Sequence, residues 1–272
     1  MESASAFFLP AESGRRFCVY YPGARDGTGP GVVYVHPFCE EMNKARRMAA
    51  LQARRLSAMG YGVLQIDLYG CGDSSGEFAD ASWETWKRDV LAALAWLEHR
   101  VHGPLGLWGL RLGATLAADV AHGPGHRVEQ LLLWQPVGNG EQYLTQFLRL
   151  RLAAEMLAEG SAQAGVRGLR EKLSQGVTLE IAGYELHPGL AAAIDALVLA
   201  DLVPAARHVH CLEVTAQTEP KISPALQRTL DAWRLKGLEV HTAAVTGEPF
   251  WSTIEIAECD PLMAATERSL RR

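Results

Sequence analysis

The sequence predicts an α/β protein: a mostly parallel, doubly wound sheet of about eight strands, interrupted by a mostly helical insertion. Three observations predict it. Short apolar runs alternate with longer amphipathic segments up to about residue 135, which is the rhythm of β-α-β units. From Val137 to about Ala206 the rhythm changes to helix after helix, and afterwards the alternation resumes. The expected organisation is therefore a core of residues 1–136 and 207–272 with a cap inserted at 137–206.

Residues 16–21, 31–35, 62–66, 104–108 and 130–134 are short apolar and β-branched runs and read as strands. Between them, segment 44–59 carries Ala45, Met48, Ala49, Leu51, Leu56 and Met59, and segment 82–99 carries Trp83, Trp86, Val90, Leu94 and Leu97; both spacings are helical. A third helix spans 110–121, begun directly after a strand and stopped before Gly123-Pro124. The insertion reads as helices 142–159, 166–174 and 188–200, with a hairpin at 177–186. Strand 208–214, helix 224–235, strand 238–245 and a last helix at 261–271 complete the chain. No internal repeat or low-complexity linker is present.

Composition bounds the function. Of 272 residues, 48% are hydrophobic and 21% charged, enough to bury a large core. With 26 basic and 31 acidic side chains the net charge is −5, which supplies no basic field for phosphate contacts, so nucleic acid is not an expected partner. Glu2 stands where a signal peptide needs a cationic start, and only a short apolar run precedes Pro10. No apolar run approaches the length of a membrane span. A cytoplasmic location is expected. The five cysteines, Cys18, Cys39, Cys71, Cys211 and Cys259, form no Cys-x-x-Cys pair and read as free thiols. The nine histidines show no ligand spacing of the His-Glu-x-x-His kind, and His208-Val-His210 alternates as a strand does, so neither a metal nor a cofactor is expected.

The motif that carries chemistry is Gly109-Leu110-Arg111-Leu112-Gly113, set between a strand and a helix. Two glycines four apart in that setting are the frame of a nucleophile elbow, where small neighbours tolerate a strained central residue whose side chain projects above the sheet. The side chain in that place is Arg111 rather than serine.

On these residues the chain resembles an α/β-hydrolase. His36-Pro-Phe matches the position of the superfamily's oxyanion loop, and Asp67-Leu-Tyr-Gly-Cys-Gly-Asp-Ser74 matches its Asp-x-x-Gly-x-Gly-x-Ser loop. More narrowly, His36-Pro-Phe-Cys-Glu-Glu-Met-Asn-Lys44, the Gly-Leu-Arg elbow and Pro249-Phe-Trp-Ser-Thr-Ile-Glu-Ile256 resemble the exosortase A system-associated hydrolase 2 family. The resemblance implies an α/β-hydrolase fold in a bacterial cytoplasmic protein linked by genomic context to exopolysaccharide production and PEP-CTERM sorting. It also implies hydrolysis of a substrate it does not specify.

The triad positions depart from that pattern. Glu219 is placed to be the acid, but Glu248-Pro249 occupies the usual histidine position, and the last histidine, His241, falls inside a strand. Gly72-Asp-Ser74-Ser-Gly76 satisfies Gly-x-Ser-x-Gly literally, without the strand-turn-helix setting that gives the motif meaning.

Arg111 precedes a helix N-terminus, where a cation is disfavoured, so it needs an anion from Glu40, Glu41, Glu219, Glu248, Asp67 or a ligand. Three readings follow. The first is a divergent protein without a standard Ser-His-Asp triad, whose pocket of Arg111, His36, Glu40, Glu41, Leu112 and Trp251 binds an anionic small molecule or lipid-linked saccharide. The second is an active ester or thioester hydrolase using Ser74 or Cys39 with His36, although a histidine bracing the next loop is the plainer role for His36. The third is a non-catalytic interaction subunit with an occluded pocket and an apolar patch on the cap; a homodimer is kept open.

Overall fold

The computed structural model describes residues 3–24, 27–123, 128–159 and 165–271, with side chains from 158 to 159 left aside. In chain order the elements are β1 (Ser5–Pro10), β2 (Arg15–Tyr21), β3 (Gly31–Val35), α1 (Glu40–Ala58), β4 (Gly62–Ile66), α2 (Trp83–Glu98), β5 (Leu105–Leu110), α3 (Leu112–His122) and β6 (Gln130–Trp134). There follow α4 (Gly140–Glu159), α5 (Val166–Ser174), β7 (Leu179–Ile181), β8 (Tyr184–Leu186) and α6 (Pro188–Asp195). Last come β9 (His208–Thr215), α7 (Pro224–Leu235), β10 (Glu239–Thr246) and α8 (Asp260–Leu270).

Eight strands form one sheet in the order β1-β2-β4-β3-β5-β6-β9-β10, as the alternation predicts. From β4 to β10 every pairing is parallel, while β2 runs antiparallel to both β1 and β4. All residues of β3 and of β5 are buried, because a parallel sheet is covered on both faces and its inner strands need apolar residues at every position. One face packs Leu94, Leu116 and Leu230 from α2, α3 and α7; the other packs Met48 and Leu262 from α1 and α8 against Trp108 and Trp134. All five cysteines are free and buried. No helix among the described residues is long and apolar enough to cross a membrane.

Three boundaries differ from the sequence expectation, each for a local reason. β1 was not expected: as a strand at the sheet's rim it buries only Leu9, so its pattern carries little apolar periodicity. α1 begins at Glu40 rather than 44, with Glu40 and Glu41 in the first turn, where the helix dipole favours acids. The expected helix 188–200 stops at Asp195, because Val198 bridges to Asn139 and the Leu199 N–H bonds the Gly138 carbonyl. Tertiary pairing thus overrides the alanine-rich helical preference of that stretch.

Candidate functional site

The parallel strands deliver their carboxyl ends to one edge of the sheet, where ligands of such sheets bind. There Arg111 joins β5 to α3 with φ 56° and ψ −123°, a left-handed backbone that costs energy for any side-chain-bearing residue. The flanking glycines are required by space. A Cβ on Gly109 would lie 2.4 Å from Ala114 Cα, and one on Gly113 would lie 2.2 Å from the His36 carbonyl oxygen. Across from this bend, Cys39 joins β3 to α1 with nearly the same angles, φ 51° and ψ −129°. Two strand-turn-helix bends therefore bring two helix N-termini to the same edge.

Above them lies a pocket of about 350 Å³, walled by Arg111, Glu40, Glu41 and Lys44, by the aromatic rings of Phe38, Tyr143, Phe147 and Trp251, and by Cys39, Gln146, Leu150 and Ser252. Of the five carboxylates open to Arg111, the fold selects Glu41. Arg111 Nε donates to Glu41 Oε1 at 3.2 Å, and the Tyr143 hydroxyl donates to Glu41 Oε2 at 3.2 Å. The guanidinium carbon sits 5.5 Å from the ring centroids of both Tyr143 and Trp251. Neither terminal nitrogen of Arg111 has a hydrogen-bond acceptor among the described residues, and neither is sealed away from solvent. Burial pushes the Glu41 carboxyl up, opposed by Arg111 and the Tyr143 hydrogen bond. Burial also holds the Tyr143 phenol well above its ordinary value, keeping it a donor.

The other predicted residues are placed elsewhere. His36 is buried, with Nδ1 2.7 Å from the Pro37 carbonyl oxygen and Nε2 accepting from the Leu68 N–H at 3.2 Å. That pattern is the neutral imidazole carrying its proton on Nδ1, and burial lowers its pKa accordingly. Both nitrogens are taken by backbone, so none is left for a serine or thiol, and His36 braces two loops. His36 and Leu112 are not among the walls of the Arg111 pocket; they line an adjoining void of about 10 Å³ that shares Phe38 and Cys39 with it.

Ser74 Oγ donates to the Asp67 carbonyl at 2.5 Å and accepts from the Phe17 N–H at 2.9 Å, tying the loop to β2 rather than to an imidazole. Asp67 is itself held by Arg46 at 2.9 Å. Glu219 is exposed. The buried acid of that region is Glu213 within β9, whose carboxylate receives the Ser223 N–H at 2.5 Å and the Ser223 hydroxyl at 2.9 Å. Cys39 does line the Arg111 pocket, but burial pushes its thiol well above the ordinary value, and no base contacts it among the described residues. Trp251 and Glu40 line the same pocket.

Sequence reasoning missed Tyr143, Phe147 and Leu150, which share one face of α4 at i, i+4 and i+7. That spacing was readable, but helical periodicity does not say which pocket a face will cover. Chemically the site offers a charged fork within an aromatic enclosure, with no hydrogen-bonded nucleophile-base pair among the described residues. No group of three metal-ligating side chains lies at it among the described residues.

Known proteins share this architecture. Est1E from Butyrivibrio proteoclasticus, in its ferulic-acid complex, superposes with a TM-score of 0.71 at 14% identity, covering 98% of this chain and 100% of its own. Alpha/beta hydrolase domain-containing protein 10 from mouse superposes with a TM-score of 0.61 at 16% identity, covering 98% of each chain. By sequence, human Protein ABHD12B is 33% identical over 130 residues, 46% of this chain and 34% of its own length. The mitochondrial palmitoyl-protein thioesterase ABHD10 of Rattus norvegicus is 28% identical over 95 residues, 35% of this chain and 30% of its own. The matched stretches thus span about a third of those curated relatives. Residues 30–217 match the family described as Serine aminopeptidase, S33, well over half of the chain, and with the sheet order above this places the protein in that family of the α/β-hydrolase superfamily.

Proposed function

We propose that this chain is a member of its family without serine catalysis, and that its pocket binds an anionic small molecule through Arg111. The observation that carries the reading is the guanidinium standing in the nucleophile's place, with both terminal nitrogens free of acceptors among the described residues. Glu41 holds the guanidinium through Nε, which fixes its plane and leaves the two-pronged outer edge for a carboxylate or phosphate. The N-termini of α1 and α3 meet at this edge, and their helix dipoles add positive potential there. This matters because Lys44 and Arg111 are otherwise balanced by Glu40 and Glu41. Phe147 and Leu150 suit an apolar group attached to the anion. Segment 137–206 serves as a cap, with α4 as the pocket's roof. The resemblance to the exosortase-associated family favours a lipid-linked saccharide intermediate as ligand, in a bacterial cytoplasm.

The test is calorimetric titration of inorganic phosphate and of a short-chain carboxylate, with fluorophosphonate labelling alongside. Charge-assisted hydrogen bonds contribute about 1.5–3 kcal/mol, so Arg111→Gln should weaken binding by about 10- to 100-fold. The probe should leave the wild-type chain unlabelled. Unchanged affinity in Arg111→Gln, or a covalent adduct on any serine, would defeat the reading.

One observation favours a second reading, thiol catalysis at Cys39: its backbone repeats the strained bend at the pocket wall. It requires a reactive thiolate. Iodoacetamide alkylation of Cys39 at neutral pH, much faster than that of an ordinary exposed thiol, would support it over the anion-binding account. The open pocket is unlike the occluded one an interaction subunit would have.

A further inference from the structure

At the opposite edge of the sheet, β9 and β10 pair in parallel with His208 beside Glu239 and His210 beside His241. Side chains two apart on a strand share a face, so three imidazoles and one carboxylate lie together near the amino ends of both strands. They belong to neither the Arg111 pocket nor its walls. The ligand atoms of His208, Glu239 and His241 all lie within 4.8 Å of one another. Glu239 joins the two histidines, with Oε2 3.2 Å from His208 Nδ1 and Oε1 3.0 Å from His241 Nε2.

A second observation concerns His210. It is only 4% exposed, its ring stacks on His241 at 5.0 Å between centroids, and its Nδ1 has no hydrogen-bond partner among the described residues. A buried polar nitrogen without a partner is costly, and interiors rarely retain one without a use.

We propose that His208, Glu239 and His241 bind one divalent transition-metal ion, with His210 as the buried imidazole supporting His241. Imidazole nitrogens with a single carboxylate suit Zn²⁺, Ni²⁺ or Cu²⁺ rather than Mg²⁺ or Ca²⁺, which prefer all-oxygen shells. His208 and His241 are 31% and 29% exposed, which gives an ion a route in and leaves coordination positions for water. Bound there, the ion clips the edge strand β10 to β9, because its ligands come from both. The site is remote from the elbow, so the ion takes no part in chemistry at Arg111.

The experiment uses the full chain, free of any purification tag and cleared of metal with a chelator, titrated with Co²⁺ and Zn²⁺. Expected are one ion per chain, a Co²⁺ visible spectrum without thiolate charge-transfer bands, and a rise in Tm on adding Zn²⁺. Losing even an outer partner of a metal ligand weakens binding about 10- to 100-fold, so His208→Ala and His241→Ala should each lose at least that much. Glu239→Gln should weaken binding and abolish the Tm rise. Partial exposure of the two histidines makes these variants tolerable, and metal-free melting confirms that each is folded. Saturation only in the millimolar range, a thiolate band, or unchanged stoichiometry in the His208→Ala/His241→Ala double variant would overturn the assignment.

Discussion

Removing Arg111 should destabilise the protein in a way that depends on pH. Arg111→Ala leaves Glu41 facing only the Tyr143 hydroxyl in a site where its side chain is 17% exposed. Breaking a fully buried ion pair costs about 3–5 kcal/mol. Here water reaches both partners, and the deleted cation sat at a helix start that disfavours it by about 0.3–1 kcal/mol, so about 2 kcal/mol is expected at pH 7. For a chain of this size that is a fall in Tm of about 4–8 °C. The pH dependence follows from Glu41. Burial already raises its pKa against the opposing pull of Arg111, and the substitution raises it further. A carboxyl that holds its proton more tightly when folded contributes stability that is fully present below its ordinary value and lost as pH rises through the folded value. The deficit of Arg111→Ala should therefore shrink as pH falls from 7 towards 5, and adding Glu41→Gln should recover much of it. Urea melts across that range make the measurement. A deficit that is constant with pH and indifferent to Glu41→Gln would refute the pairing.

Other outcomes follow from the same geometry. Gly113→Ala should abolish soluble expression, since its methyl would lie 2.2 Å from the His36 carbonyl oxygen and both groups belong to the backbone frame. Trp251→Ala should weaken phosphate binding by about two- to fivefold in calorimetry, in line with about 0.5–1 kcal/mol for a partly exposed cation–π contact. His36→Phe should cost about 2–4 kcal/mol in chemical denaturation, because it orphans the Pro37 carbonyl and the Leu68 N–H. His36 and His210 are both held below the ordinary histidine value, so wild-type stability should be full above about pH 6.5 and decline as pH falls, with part of that decline absent in His36→Phe.

The central sheet was legible because its strands are buried on both faces and cannot hide polar residues, as Gly31–Val35 shows. β1 was not, since an edge strand with one buried residue has almost no pattern to read. Gly109 and Gly113 made the elbow legible, because their spacing reports a backbone constraint that is local in sequence. The partner of Arg111 was readable only as a short set of carboxylates, because Glu41 lies 70 residues away and the sheet's strand order brings it close. Tyr143 lies 102 residues from Glu41 and gave no local sign of their hydrogen bond. His208-Val-His210 was visible as an alternation, but only the β9–β10 register sets Glu239 and His241 beside it.

The most direct test of an anion-binding elbow is a crystal structure with tungstate, whose anomalous scattering locates a tetrahedral oxyanion without ambiguity. The account predicts a peak in the pocket beneath α4, with oxygens within hydrogen-bond reach of both terminal nitrogens of Arg111 while Nε stays on Glu41. Tungstate bound only elsewhere, with the Arg111 terminal nitrogens occupied by protein carboxylate or carbonyl oxygens, would contradict it.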